Sequence, residues 1–182
     1  RSPSRGLGDV YKRQEIDLIK GMDLIVTAVG PRNFLGLSTL FNNIKTPILC
    51  CENDSTLPKI MREVTGNPNV VFVIPDVITS STASAAMVAS NPLNIITENG
   101  VCFIDNRVSH IEGNCQFVDE IELEKQWAAK LYIHNTPHCI AAYLGSILNA
   151  AFLHESMKFV GVAKIVEGAM HEMLKMLLRK TD

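Results

Sequence analysis

The chain has 182 residues, 47% of them hydrophobic, and a formal net charge of −2 from 17 basic and 19 acidic side chains. That is enough apolar material for one substantial core or parts of two, and the charge balance offers no basic surface for nucleic acid. No apolar run reaches the roughly 18 residues of a membrane span, so the expectation is a soluble, cytoplasmic protein with neither nucleic acid nor membrane as partner.

The opening residues 1–14, RSPSRGLGDVYKRQ, hold Arg1, Arg5, Lys12 and Arg13 without any apolar period. They read as a non-native, adapter-like prefix with no part in the fold. DLIVTAV at 23–29 is then a short apolar run closed by Gly30 and Pro31, NFLGLSTLFNNI at 33–44 has helical spacing, and TPILCCE at 46–52 is a second buried run. Ser55 is placed to cap a helix running through Val64, which Gly66-Asn67-Pro68 stops. NVVFVIP at 69–75 supplies a third apolar run. Continuous apolar strands separated by helices predict a parallel sheet covered on both faces. In LNIITENGVCFID, at 93–105, Asn99-Gly100 stands between two short strand-like runs, which predicts a hairpin extending the sheet in antiparallel fashion.

The cysteines at 50, 51, 102, 115 and 139 form no C-x-x-C pair. They read as reduced thiols, which suits a reducing compartment. Cys50 and Cys51, adjacent in one strand-like run, should point to opposite faces of the sheet.

From about Val118 the pattern changes to three stretches with helical spacing: VDEIELEKQWAAKLYIHN, PHCIAAYLGSILNAAFLHESM and VGVAKIVEGAMHEMLKMLLRK. The expected fold class is therefore α/β. Residues 15–118 form a partial Rossmann-like parallel-sheet domain, and residues 119–182 begin an all-helical domain.

KLYIHNTPHCIAAYLG, at 130–145, crowds a lysine, two histidines and an asparagine beside a proline. Pro137 suits the first position of a helix with Thr136 as its cap, so one helix is expected to end near His134 and another to begin at Pro137. At such a junction Lys130, Asn135 and His138 can leave the packed faces and converge. A desolvated lysine has a lowered pKa and can take a hydroxyl proton near neutral pH, an asparagine N–H can stabilise the resulting alkoxide, and a histidine can hold substrate. These groups suit oxidation of an alcohol. The same residues also fit a solvated helix surface. A zinc site at His134 and His138 is weaker, because the proline breaks the helix that would align them and no glutamate follows the first histidine.

The pattern Lys130-x-x-x-x-Asn135-x-x-His138, followed by Ala-Tyr-Leu-Gly at 142–145, resembles the polyol-specific long-chain dehydrogenase/reductase family. TAVGP at 27–31 resembles its cofactor-side loop, CEN at 51–53 its segment with a second catalytic asparagine, and PDVITS at 75–80 its aspartate-bearing stretch. The resemblance covers residues 15 to about 175 and implies metal-free hydride transfer to NAD. It implies that Lys130 is the general acid/base, that Asn53 and Asn135 stabilise the oxyanion, and that His138 positions substrate. It further implies that Asp76 binds a substrate hydroxyl or tunes the site and that Thr27, Ala28, Val29 and Gly30 line the dinucleotide. The implied substrate is a polyol or sugar phosphate, with mannitol 1-phosphate and fructose 6-phosphate as the favoured pair. Hexuronate reductases of the same family are the alternative, and a noncatalytic helical interaction domain, exposing Met170, Met173, Leu174 and Leu177, is the alternative of a different class. Two departures stand out: no G-x-G-x-x-G follows a first strand, and Pro137 replaces a glycine of the family pattern. The helical part is also short for the family, so the chain reads as an internal fragment, inactive by itself.

Overall fold

The computed structural model describes residues 19, 21–76, 79–80, 85–91, 94, 96–97 and 99–179; the expected prefix at 1–14 lies outside them. Three strands come first, β1 (Ile25–Thr27), β2 (Ile48–Cys50) and β3 (Val70–Asp76). They pair in parallel, Ile25 opposite Ile48 and Ile48 opposite Val70. α1 (Pro31–Phe34), a 3-10 turn at Leu35–Leu37 and α2 (Ser38–Phe41) connect β1 to β2, and α3 (Leu57–Thr65) connects β2 to β3.

Alternation along β2 explains why the strands read as unbroken apolar runs. Ile48 and Cys50 pack with Phe34, Phe41 and Met61 on one face, while Leu49 packs with Val71, Val73 and Ile104 on the other, where Cys51 joins them. Cys50 and Cys51 therefore sit on opposite faces, as a period of two requires. The start of α3 differs from expectation. Thr56, not Ser55, occupies the cap position, because Asp54 Oδ1 accepts from the Thr56 amide at 2.9 Å and from its hydroxyl at 2.7 Å, which locks the turn one residue later. Gly66 ends the helix in the left-handed region at φ 67°.

The second half of the sheet reverses direction. β4 (Thr79–Ser80), the helix α4 (Ala85–Ser90) and β5 (Ile96–Thr97) precede β6 (Val101–Asp105) and β7 (Cys115–Val118). β6 runs antiparallel to β3, with Val73 opposite Ile104, and β7 runs parallel to β6. The sheet order is β1-β2-β3-β6-β7. The antiparallel extension is present, but the hairpin expected at Asn99-Gly100 is not: β5 pairs with β4 instead. Ile104 is 1% exposed against β3, and a two-residue strand such as β5 offers far less apolar surface to bury against. A charged network ties this half to α3. Arg107 reaches Asp105 at 3.0 Å and Glu120 at 2.9 Å, and Lys59 on α3 reaches Glu120 at 2.8 Å.

The chain divides into two compact units, the first ending at Leu123 and the second beginning at Glu124. α5 (Glu120–Ala129) passes from one to the other, and a π-helical segment (Lys130–Asn135), α6 (Thr136–Ile147), α7 (Leu153–Ser156) and α8 (Val160–Leu178) follow. The architecture is thus an α/β Rossmann-like sheet followed by helices. Ala141, Val162 and Val166 form the core of the helical unit. Gly145 lets α7 approach α6 closely, since a Cβ there would stand 2.6 Å from the Cβ of Ser156. Of Met170, Met173, Leu174 and Leu177 on α8, only Leu174 is exposed; the others are half-buried. Among the described residues no helix is long and apolar enough to cross a membrane.

Candidate functional site

In the first unit the residues of interest gather at the carboxyl ends of β1 and β2, the end of a parallel sheet where ligands bind in open α/β folds. Thr27 is not available there: it is 4% exposed, and its hydroxyl donates to the carbonyl of Leu49 at 3.4 Å. Ala28 and Val29 are exposed. Gly30 has φ 87° and ψ 145°, a conformation that other residues enter only with strain, and it turns the chain into α1 with Pro31 at the first helical position. Its carbonyl accepts from the amides of Asn33 and Phe34 at 3.0 and 3.2 Å.

The amides of this turn are already taken. Glu52 accepts from the Val29 amide through Oε1 at 2.9 Å and from the Gly30 amide through Oε2 at 2.7 Å, and it is only 3% exposed. The turn therefore presents Ala28 and Val29 as an exposed apolar face, and its Val29 and Gly30 amides, bonded to Glu52, are not free to cradle a phosphate. Glu52 is the residue that sequence reasoning missed. The signal was an acidic side chain closing the apolar run TPILCCE, because a buried carboxylate needs dedicated donors. Asn53 follows it directly and is exposed. Asp76 ends β3 opposite Val101; its side chain lies outside the described residues.

In the second unit the expected helix break at His134 and Pro137 does not occur. Ala129, Asn135 and Thr136 all keep right-handed helical angles, and Lys130–Asn135 winds as a π-helix between α5 and α6. Thr136 is not a side-chain cap. Its amide and its hydroxyl both turn back to the carbonyl of Leu131, the hydroxyl at 2.7 Å. The proline explains the wider winding: it has no N–H to give and its ring crowds the carbonyl one α-helical turn before it, so a looser turn accommodates it without breaking the helix. Pro137 is itself buried.

This winding decides which side chains share a side of the helix. In an α-helix residues five apart are rotated by about 140°, whereas the i to i+5 bonding of a π turn stacks them. Lys130 and Asn135 stand in that relation, and His138 lies one α-helical step beyond Asn135. The three residues thus fall on one stripe, with Lys130 and Asn135 half-buried and His138 exposed. The rings of His134 and His138 meet edge to face, with centroids 5.0 Å apart. Both line an otherwise apolar groove of about 360 Å³ with Ile133, Pro137, Val166 and Met170. Among the described residues no group of three or more metal-ligating side chains gathers, so the two histidines bring no third ligand to a zinc site.

No protein-family profile matches the chain. Over 187 residues it is 28% identical to a mannitol-1-phosphate 5-dehydrogenase of an Exiguobacterium species, an alignment covering 91% of this chain and 47% of that protein. The chain thus spans about half the length of that relative.

Proposed function

We propose that the full-length protein carrying this chain is an NAD-dependent dehydrogenase that interconverts a polyol or polyol phosphate and its ketose. What supports this reading is the π turn over Lys130–Asn135, whose winding favours Lys130, Asn135 and His138 sharing one side of the helix, in a chain similar to a mannitol-1-phosphate 5-dehydrogenase. When bound, NAD would supply the hydride acceptor, and the exposed turn of Ala28 and Val29 would help to hold it. Lys130 takes the proton from the substrate hydroxyl during oxidation and returns it during ketose reduction. Asn135 and Asn53 donate N–H to the oxygen as negative charge develops on it, and His138 holds a neighbouring hydroxyl. Asp76 binds a further hydroxyl. The substrate pair is mannitol 1-phosphate and fructose 6-phosphate, and no metal takes part.

The test is a spectrophotometric screen of the full-length protein with NAD and mannitol 1-phosphate or mannitol, and with NADH and fructose 6-phosphate, tagaturonate or fructuronate. Reduction of NAD by mannitol 1-phosphate, unaffected by chelator, is the expected result. Lys130→Ala should lower turnover by about 10²- to 10⁴-fold and remove the rise of oxidation rate with pH. Turnover only with hexuronates would move the assignment to that branch of the family. Silence with every substrate, or loss of activity to a chelator and its return with zinc, would overturn the lysine mechanism.

A further inference from the structure

The buried carboxylate of Glu52 serves no step of the chemistry above, yet it joins the two segments that the chemistry requires. The last backbone rung between β1 and β2 is the bond from the Cys51 amide to the Thr27 carbonyl, at 3.0 Å. Beyond it β1 swings away at Gly30, so the amides of Val29 and Gly30 have no strand left to pair with. Buried or half-buried amides of this kind need acceptors. Glu52 supplies both from one side chain, at 2.9 and 2.7 Å, in a two-pronged grip that leaves little rotational freedom. The residue is nearly sealed from solvent, 3% exposed, so water cannot easily replace it. One peptide bond away stands Asn53.

We propose that Glu52 is a positioning residue that fixes the exposed Ala28–Val29 turn against Asn53, so that the ring held by the turn and the substrate oxygen met by Asn53 stay in register. The proposal rests on the dehydrogenase reading. Hydride transfer needs donor and acceptor carbons held within about 3–3.5 Å, and a displacement of 1 Å costs about 10²-fold in rate. A clamp acting on both sides of that gap therefore influences turnover without touching substrate. Exchanging the carboxylate for an amide of the same shape places an N–H₂ donor against one of the two N–H donors, and one arm of the grip must open.

Two measurements on the full-length protein, each on wild type, Glu52→Gln and Glu52→Asp, test this. The first is amide hydrogen exchange at Val29 and Gly30, which is slow in wild type and faster by about tenfold or more in Glu52→Gln. The second is steady-state kinetics with NAD binding: kcat falls by about tenfold or more and NAD binds more weakly, while substrate KM changes less than kcat and the melting temperature stays within a few degrees. Glu52→Asp, which keeps both oxygens on a shorter arm, recovers part of each loss. Unchanged exchange at Val29 and Gly30 would overturn the clamp. Faster exchange with kcat and NAD affinity kept within about twofold would overturn the positioning role, as would failure of both variants to fold, which would make Glu52 structural only. If wild type itself neither binds NAD nor oxidises a polyol, the dehydrogenase reading fails and the positioning role goes with it, while the exchange result still decides whether the clamp exists.

Discussion

At the scale of one residue, burial has its plainest effect on Cys50. Cys50 lies fully buried in the core beside the end of β2, and loss of solvation pushes its thiol from 9.0 up to about 12. The thiolate is the reactive form, so an alkylating reagent at neutral pH should label the exposed Cys139 and spare Cys50 until the chain unfolds. Peptide mapping by mass spectrometry reads the difference directly. The same shift fixes a pH dependence. Above pH 9 the unfolded chain releases this proton and the folded chain keeps it, so the contribution of Cys50 to stability is whole below about 9 and is lost as pH rises toward 12. Denaturation midpoints measured across that range should fall for wild type and fall less for Cys50→Ala. The opposed faces of Cys50 and Cys51 were legible from the sequence, because alternation depends on backbone geometry alone. The part played by Glu52 was not, because it depends on where β1 turns away from β2.

At the scale of an element, the π turn is the feature that carries most consequence. A proline inside a helical pattern predicts a break when only α-helical bonding is considered, which is why two helices were expected where one continuous helix with a wide turn is found. Patterning fixed the identity of the polar residues but not their angular relation, because that relation depends on winding. Replacing Pro137 with alanine removes the residue that the wide turn accommodates and should let Lys130–Asn135 close into an α-helix at unchanged spacing, which rotates Lys130 about 140° from Asn135. Helix content by circular dichroism should be kept, and turnover of the full-length protein should fall by about 10²-fold or more. Retained turnover would show that the wide turn has no part in aligning these groups.

Across the first unit, cohesion depends on the sheet and on the charges that fasten its reversed half to α3. Asp105 is 3% exposed, so Arg107→Ala leaves a buried carboxylate without its cation and should cost about 1–3 kcal/mol. Lys59→Ala frees only the exposed end of the network and should cost less than about 1 kcal/mol; urea denaturation of both variants checks the order. Glu120 adds a pH limb. Hydrogen bonding to Lys59, and then to Arg107, holds its carboxyl below the usual range, so its contribution is present above the unfolded value and is lost as pH falls through the lowered one. The parallel core was legible because β2 and Val70–Ile74 of β3, buried on both faces, are apolar at every position, whereas the fate of the Asn99-Gly100 turn was not, because β5 and β6 chose partners earlier in the chain and not each other. That choice has a consequence for synthesis on the ribosome. Val70 to Ile74 of β3 are all 5% exposed or less in the finished fold, yet Val73 waits for Ile104, about thirty residues later, before its outer edge is covered. At about 5–20 residues per second, this apolar segment of the nascent chain stands open for about two to six seconds, and a holdase binding there would act within that window.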